Sequence, residues 1–251
     1  MDFAFATAAA PGRANEDHLL LSAEFAVLLD GVTQLPGLDT GCVHGPVWLV
    51  RTLGAHLTTA LSADPAGGLD DVLAGAIEAV CRDHAGTCDL TNPNSPSSTV
   101  AIVRERGELL EYLVLCDSSV VFERGGRVEA VSDGRTGDLL HYDRESVARV
   151  RNRPGGFWVA STAPQAAGEA VTGSVPLDGL SRLLVCTDGI SRLVEFFGST
   201  WPSVFELAER QGPRAVIDAV RVQERVRPEL LTQRGRRFKQ HDDATLALRL
   251  R

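Results

Sequence analysis

Four acidic clusters stand at the ends of apolar runs or in the turns beside them: Asn15-Glu16-Asp17, Asp30-Gly31, Asp188-Gly189 and Asp242-Asp243. Two repeat one pattern, an apolar run closed by Asp-Gly: Ala26-Val27-Leu28-Leu29-Asp30-Gly31 and Leu183-Leu184-Val185-Cys186-Thr187-Asp188-Gly189. A carboxylate at the mouth of a buried strand is costly unless a cation receives it. Hard divalent ions such as Mg2+ and Mn2+ take oxygen donors, which aspartates, backbone carbonyls and water supply without thiolate or imidazole. Glycine after the aspartate leaves the backbone carbonyl sterically free to approach an ion. Asp-Gly is also an ordinary turn dipeptide, so the ion is implied by the constellation and not by any one pair.

The elements that must position these acids are legible from periodicity. Phe3 and Phe5 alternating with small residues, Leu19 to Ser22 and Phe25 to Leu29 read as strands. The stretch from Gly31 to Gly45, with Pro36 inside it, reads as a loop, and Pro46 stands where a helix can begin. Val47, Val50, Leu53, Leu57 and Leu61 then recur at helical spacing. A second helix is expected from Leu69 to His84, with Asp70 and Asp71 suited to its positive end. Thr99 to Val103, Leu109 to Leu115, Val120 to Glu123 and Val128 to Val131 form a meander turned at Gly125-Gly126. Ser132 to Gly179 is irregular, Leu183 to Thr187 is a strand, Trp201 to Gln211 and Pro213 to Val226 are helices, and Thr245 to Leu250 closes the chain as a strand. This order predicts a layered α+β fold rather than a regular βαβ alternation. With no repeat and no linker, residues 1–251 read as a single domain.

A chain of 251 residues, 44% hydrophobic and 23% charged, is globular in composition and long enough for a sizeable core. Its net charge of −8 opposes binding to nucleic acid and to anionic lipid. No uncharged apolar run approaches the ~20 residues a bilayer requires, and the first dozen residues carry no Lys or Arg. The expectation is therefore a cytoplasmic protein with neither a nucleic-acid nor a membrane partner. Cys42, Cys81, Cys88, Cys116 and Cys186 are odd in number and contain no CxxC pair, so they read as reduced thiols and no zinc is expected.

In order along the chain, Asn15-Glu16-Asp17, Asp30-Gly31, Ser97-Ser98-Thr99-Val100-Ala101, Cys116-Asp117-Ser118, Leu184 to Ile190 and Asp242-Asp243-Ala244-Thr245 resemble the successive motifs of the PPM (type-2C) metal-dependent serine/threonine protein phosphatases. The likeness runs from about Thr7 to Leu248 and is to the bacterial, single-domain type. It implies a four-layer α-β-β-α sandwich with two central antiparallel sheets. It also implies hydrolysis of phosphoserine or phosphothreonine on a phosphorylated protein, in bacterial signalling, by water activated between two Mn2+ or Mg2+ ions, and a monomeric enzyme. Carried over by position, Asp30 bridges both ions, the Gly31 carbonyl meets one of them, and Asp188 and Asp242 hold the other. Glu16 and Asp17 match the acidic pair that orients metal-bound water, directly or through intervening groups. Asp117 matches an acid that, with Asp188, forms a looser third ion site in some members; its alternative reading is a turn cap.

Phosphate needs a cationic holder, and Arg13 is the candidate because a guanidinium grips phosphate oxygens as a fork. Only Ala14 separates it from the acidic triplet, one residue fewer than is common in the family. Arg234, Arg236, Arg237 and Lys239 either supplement that charge or form a solvated loop. Ser132 to Gly179 falls at the position of the family's flap, where Arg151, Arg153 and Trp158 either meet a phosphopeptide or, for Trp158, pack inward. Val32 stands where some members carry a general-acid histidine, and Ser119 where the Gly-Asp-Ser-Arg motif has arginine. His18, His44 and His241 read as structural or exposed. These departures keep open a second reading, a PPM-like binding or regulatory module with little turnover. Val32 also removes the second acid of the Asp-x-Asp used by haloacid-dehalogenase-like phosphatases.

Overall fold

The computed structural model describes residues 1–34, 37–138, 144–233 and 236–249. Two five-stranded antiparallel sheets lie back to back. One has the order β1-β12-β9-β6-β7, built from β1 (Phe3–Ala8), β6 (Ser119–Arg124), β7 (Arg127–Ser132), β9 (Leu180–Cys186) and β12 (Ala244–Arg249). The other has the order β2-β3-β4-β5-β8, built from β2 (Asp17–Leu21), β3 (Phe25–Gly31), β4 (Ser98–Arg106), β5 (Leu109–Leu115) and β8 (Val171–Pro176). Helices α1 (Pro46–Ala63) and α2 (Leu69–His84) cover the second sheet, and a short helix α3 (Arg144–Val150) follows β7. Helices α4 (Asp188–Glu195), α5 (Trp201–Gln211) and α6 (Pro213–Val226) cover the first sheet. A two-residue hairpin, β10 (Thr232–Gln233) with β11 (Arg236–Arg237), precedes β12.

The alternation of side chains along each strand builds the layers. On β3, Val27 and Leu29 face α1 and α2, while Ala26 and Leu28 face the other sheet. On β9, Leu184 and Cys186 face α4 to α6, while Leu183 and Val185 face inward. Strands buried on both faces need unbroken apolar runs, which is why the central strands stand out in the sequence. The result is the expected α-β-β-α sandwich of the α+β class, and no helix of the described residues is long and apolar enough to cross a membrane.

The structure adds elements that the sequence did not predict: α3 inside the stretch expected to be irregular, the β10-β11 hairpin, the edge strand β8 and helix α4. The irregular stretch ends earlier, because Val171–Pro176 adds to β5 as an edge strand. Its alternating exposed residues and its glycine disguise it, since an edge strand needs only one apolar face. Within that stretch Trp158 packs into the α1/α2 core, only 6% exposed. The turn after Thr187 continues into α4, an eight-residue helix too short to show a clear period.

Candidate metal centre

The acidic clusters meet at one end of the sandwich. Asp17 and Asp30 are cross-strand partners on β2 and β3, and Asp30 pairs on its other side with Thr99 of β4. Asp188 opens α4 directly after β9, and Asp242 and Asp243 lead into β12, which lies beside β9. The two Asp-Gly glycines lock these segments together. A Cβ on Gly31 would fall 2.7 Å from the Glu16 carbonyl oxygen, and one on Gly189 would fall 1.8 Å from that of Asp243. Besides leaving their own carbonyls free, these glycines admit the backbone of a neighbouring acidic segment.

The carboxylates divide by partner. Asp243 is buried and structural: its Oδ1 accepts from the Ala10 amide at 2.6 Å and its Oδ2 from the Glu16 amide at 2.7 Å. Asp17 Oδ2 accepts from the Thr245 hydroxyl at 2.6 Å and from Thr187 at 3.3 Å, while its buried Oδ1 has no partner among the described residues. Glu16 accepts from the Thr33 hydroxyl. Asp117, in the turn after Cys116, accepts from the Thr136 hydroxyl at 3.4 Å. Cys116 holds φ at +70°, the left-handed conformation for which the family motif carries glycine.

Asp30, Asp188, Asp242, Asp17 and Asp117 act on one another electrostatically. Burial pushes Asp30 well above the usual carboxylate range, and Asp17, Asp188, Asp242 and Asp117 push it further. Burial also raises Asp17, opposed by the Thr245 hydrogen bond and reinforced by Asp243, Asp188 and Asp242. Asp188 is raised to about 7 by burial, then by Asp242 and Asp117, against Arg192 and Lys239. Glu16 is raised by burial, with Thr33 opposing. Acids crowded until they favour protonation, one with an unpaired oxygen, form a donor set that fits hard divalent ions.

Two cations already lean on this cluster. Lys239 Nζ lies 3.1 Å from Asp242 Oδ1 and 3.0 Å from the Thr33 hydroxyl. Arg192 Nη2 lies 3.3 Å from Asp242 Oδ2, and its Nη1 pairs with the buried Glu224 at 2.6 Å. Arg192 went unnoticed in the sequence because α4 did; once that helix is drawn, position 192 falls one turn beyond Asp188, on the same face. Arg13 is exposed and close enough to Glu16 to stabilise its ionised form. Arg151 is half-buried, donating to the Ser95 carbonyl at 2.7 Å and the Ser97 hydroxyl at 3.1 Å, and desolvation lowers it to about 10. Arg153 is exposed. Arg234 lies outside the described residues. His241 pairs with Glu224 at 2.7 Å.

The description "Protein phosphatase 2C" belongs to the family model that matches residues 11–221, most of the chain. The chain belongs to the protein phosphatase 2C family. Solved phosphatases of this family share its fold. The PPM Ser-Thr phosphatase MsPP from Mycobacterium smegmatis, in complex with cacodylate, superposes with a TM-score of 0.60 at 18% identity, covering 99% of this chain and 97% of that one. PppA, described as a key regulatory component of the T6SS in Pseudomonas aeruginosa, gives 0.60 at 20% identity, covering 98% and 96%. The catalytic domain of the phosphatase PstP, in complex with 2 manganese ions, gives 0.56 at 16% identity, covering 98% and 96%. No protein of curated function matches this family member in sequence.

The raised acids set a stability signature for this phosphatase 2C homologue. Where the folded pKa lies above the unfolded one, the folded state binds more protons, so the stabilisation is complete below the unfolded pKa and drains as pH rises through the folded value. For Asp188 that window runs from 3.8 to about 7. The metal-free protein is therefore expected to melt about 5–10 °C lower at pH 8 than at pH 5, and manganese at pH 8 is expected to recover the difference. Differential scanning fluorimetry checks this, and a flat profile between those pH values would contradict the crowding.

Proposed function

We propose that the chain hydrolyses phosphoserine and phosphothreonine on proteins, with two Mn2+ or Mg2+ ions held by Asp30, the Gly31 carbonyl, Asp188 and Asp242. When bound, such ions activate water and neutralise charge developing on the phosphoryl group. Glu16 and Asp17 then orient the water that attacks. Asp17 is suited to this because Thr245 and Thr187 fix one of its oxygens while the other stays unpaired. Asp117 lies on the same side and would hold a third ion together with Asp188. Arg13 is the phosphate holder, exposed beside Glu16. In this reading residues 1–251 work as one phosphatase domain, monomeric and cytoplasmic, with the stretch between β7 and β8 as a flap beside the site.

The observation that carries the proposal is the raising of Asp17, Asp30 and Asp188 by burial and by the nearby Asp242 charge, four acids drawn from four separate stretches of chain. Manganese-dependent hydrolysis of p-nitrophenyl phosphate and of a phosphothreonine peptide, lost in Asp188→Ala, tests it. Arg13→Ala is expected to lower kcat/KM on the phosphopeptide by about 10- to 100-fold, the worth of a charge-assisted phosphate contact. An unchanged value would remove Arg13 from the site.

One observation favours the alternative, a phosphoprotein-binding or regulatory module with little turnover: Lys239 and Arg192 each occupy an oxygen of Asp242. The same assay separates the two. Phosphopeptide binding without manganese-dependent release of phosphate supports the module.

A further inference from the structure

The loop before α1 and the end of α2 bring together side chains of a different chemistry. Cys88 Sγ lies 3.2 Å from Cys42 Sγ and 3.4 Å from His44 Nδ1, and Cys42 Sγ lies 3.6 Å from that same nitrogen. His84, the last residue of α2, joins Cys42 and His44 in a group whose donor atoms all lie within 4.8 Å of one another. In a tetrahedral Zn2+ site with two thiolates and two imidazoles, bond lengths set sulfur-to-nitrogen edges of about 3.6 Å and a sulfur-to-sulfur edge of about 3.8 Å. The observed triangle is close to one face of that tetrahedron.

A second observation points to a ligand independently. His84 is only 1% exposed, and neither ring nitrogen has a hydrogen-bond partner among the described residues. A neutral imidazole carries one donor and one acceptor, and leaving such groups unpaired in the interior costs about 1–3 kcal/mol each. The ring is held by stacking instead, 4.4 Å from Trp48 and parallel to His44 at 5.1 Å. All five cysteines are free thiols. The two loops that carry the donors are already in register, since the Asp89 amide donates to the Gly41 carbonyl at 2.7 Å.

We propose that Cys42, His44, His84 and Cys88 form a structural Zn2+ site, separate from the acidic centre. Soft thiolate and imidazole donors select zinc where carboxylates select Mg2+ or Mn2+, so the two sites load with different metals. The zinc would fasten the loop that follows Asp30-Gly31 to the loop that enters β4, the strand whose Thr99 pairs with Asp30. The donors come as Cys-x-His and His-x3-Cys, which the packing of α1 on α2 brings together.

The test uses the full chain carrying Asp30→Asn and Asp188→Asn, so that the acidic centre does not capture the added metal. The reduced protein, loaded with zinc and dialysed, is expected to retain one zinc per chain by elemental mass spectrometry. Cys42→Ser/Cys88→Ser is expected to weaken zinc binding at least ~100-fold. Cobalt loading of the same chain is expected to give the intense visible bands of a tetrahedral ion with thiolate-to-cobalt charge transfer. If the double variant fails to fold, Cys88→Ser alone, at a half-buried position, is expected to lose most of the charge-transfer band. Zinc lost on dialysis, a weak octahedral cobalt spectrum, or an unreduced chain lighter by two hydrogens with peptides of Cys42 and Cys88 joined would each overturn the site.

Discussion

Asp30→Asn is expected to reduce manganese-dependent hydrolysis of p-nitrophenyl phosphate by at least ~10³-fold while raising the melting temperature of the metal-free protein. Both effects come from one charge. Asp30 sits between Asp17 on β2 and Thr99 on β4, and its carboxylate is pushed upward by burial and by four other aspartates. Removing that charge relieves Asp17 and Asp188, so the apo fold gains stability above pH 7, where the crowding is strongest. The same charge is what would hold two cations together, and a neutral amide is a far poorer ligand for them. A mutation that damages only the fold would lower both readouts. Melting curves and manganese titrations on the same preparations distinguish the cases, and an Asp30→Asn protein that keeps its activity would sink the assignment of this residue.

The sequence carried most of the architecture because a sandwich with three apolar layers requires central strands buried on both faces, and Phe25 to Leu29 and Leu183 to Cys186 show it as unbroken runs. Helices α2, α5 and α6 were legible to their ends, since each is long enough for its apolar stripe to repeat and α5 and α6 carry a proline in the first turn. What escaped was short or one-sided: α3, α4, the β10-β11 hairpin and the edge strand β8. The site shows the same division. The acids could be found as strand endings, but choosing Asp242 over Asp243 took the family resemblance, because adjacent residues differ only in which side of the backbone they leave. Arg192, Glu224 and Thr33 act through tertiary contact, and nothing local in their sequence marks them.

Glu224→Gln is expected to destabilise the protein by about 3–5 kcal/mol, the usual consequence of breaking a buried charge network on one side, which lowers its melting temperature by about 10 °C or more. Glu224 is fully buried on α6 and joins three cationic or potentially cationic groups: Arg192 at 2.6 Å, Arg221 at 2.9 Å and His241 at 2.7 Å. Arg192 is itself 2% exposed and its Nε has no partner among the described residues, so its charge rests on Asp188 nearby and on its ion pairs with Asp242 and Glu224. Without Glu224, that charge falls on Asp188 and Asp242, both proposed metal ligands. The variant is therefore expected to bind manganese more weakly as well as to melt earlier. Replacing both partners, Arg192→Met with Glu224→Leu, removes the stranded charge and is expected to recover a large part of the lost stability. Chemical denaturation of the two variants, with manganese titrations alongside, measures this coupling; a Glu224→Gln protein as stable as the parent would mean that Arg192 does not depend on Glu224, and that the link from α6 to the acidic centre is absent.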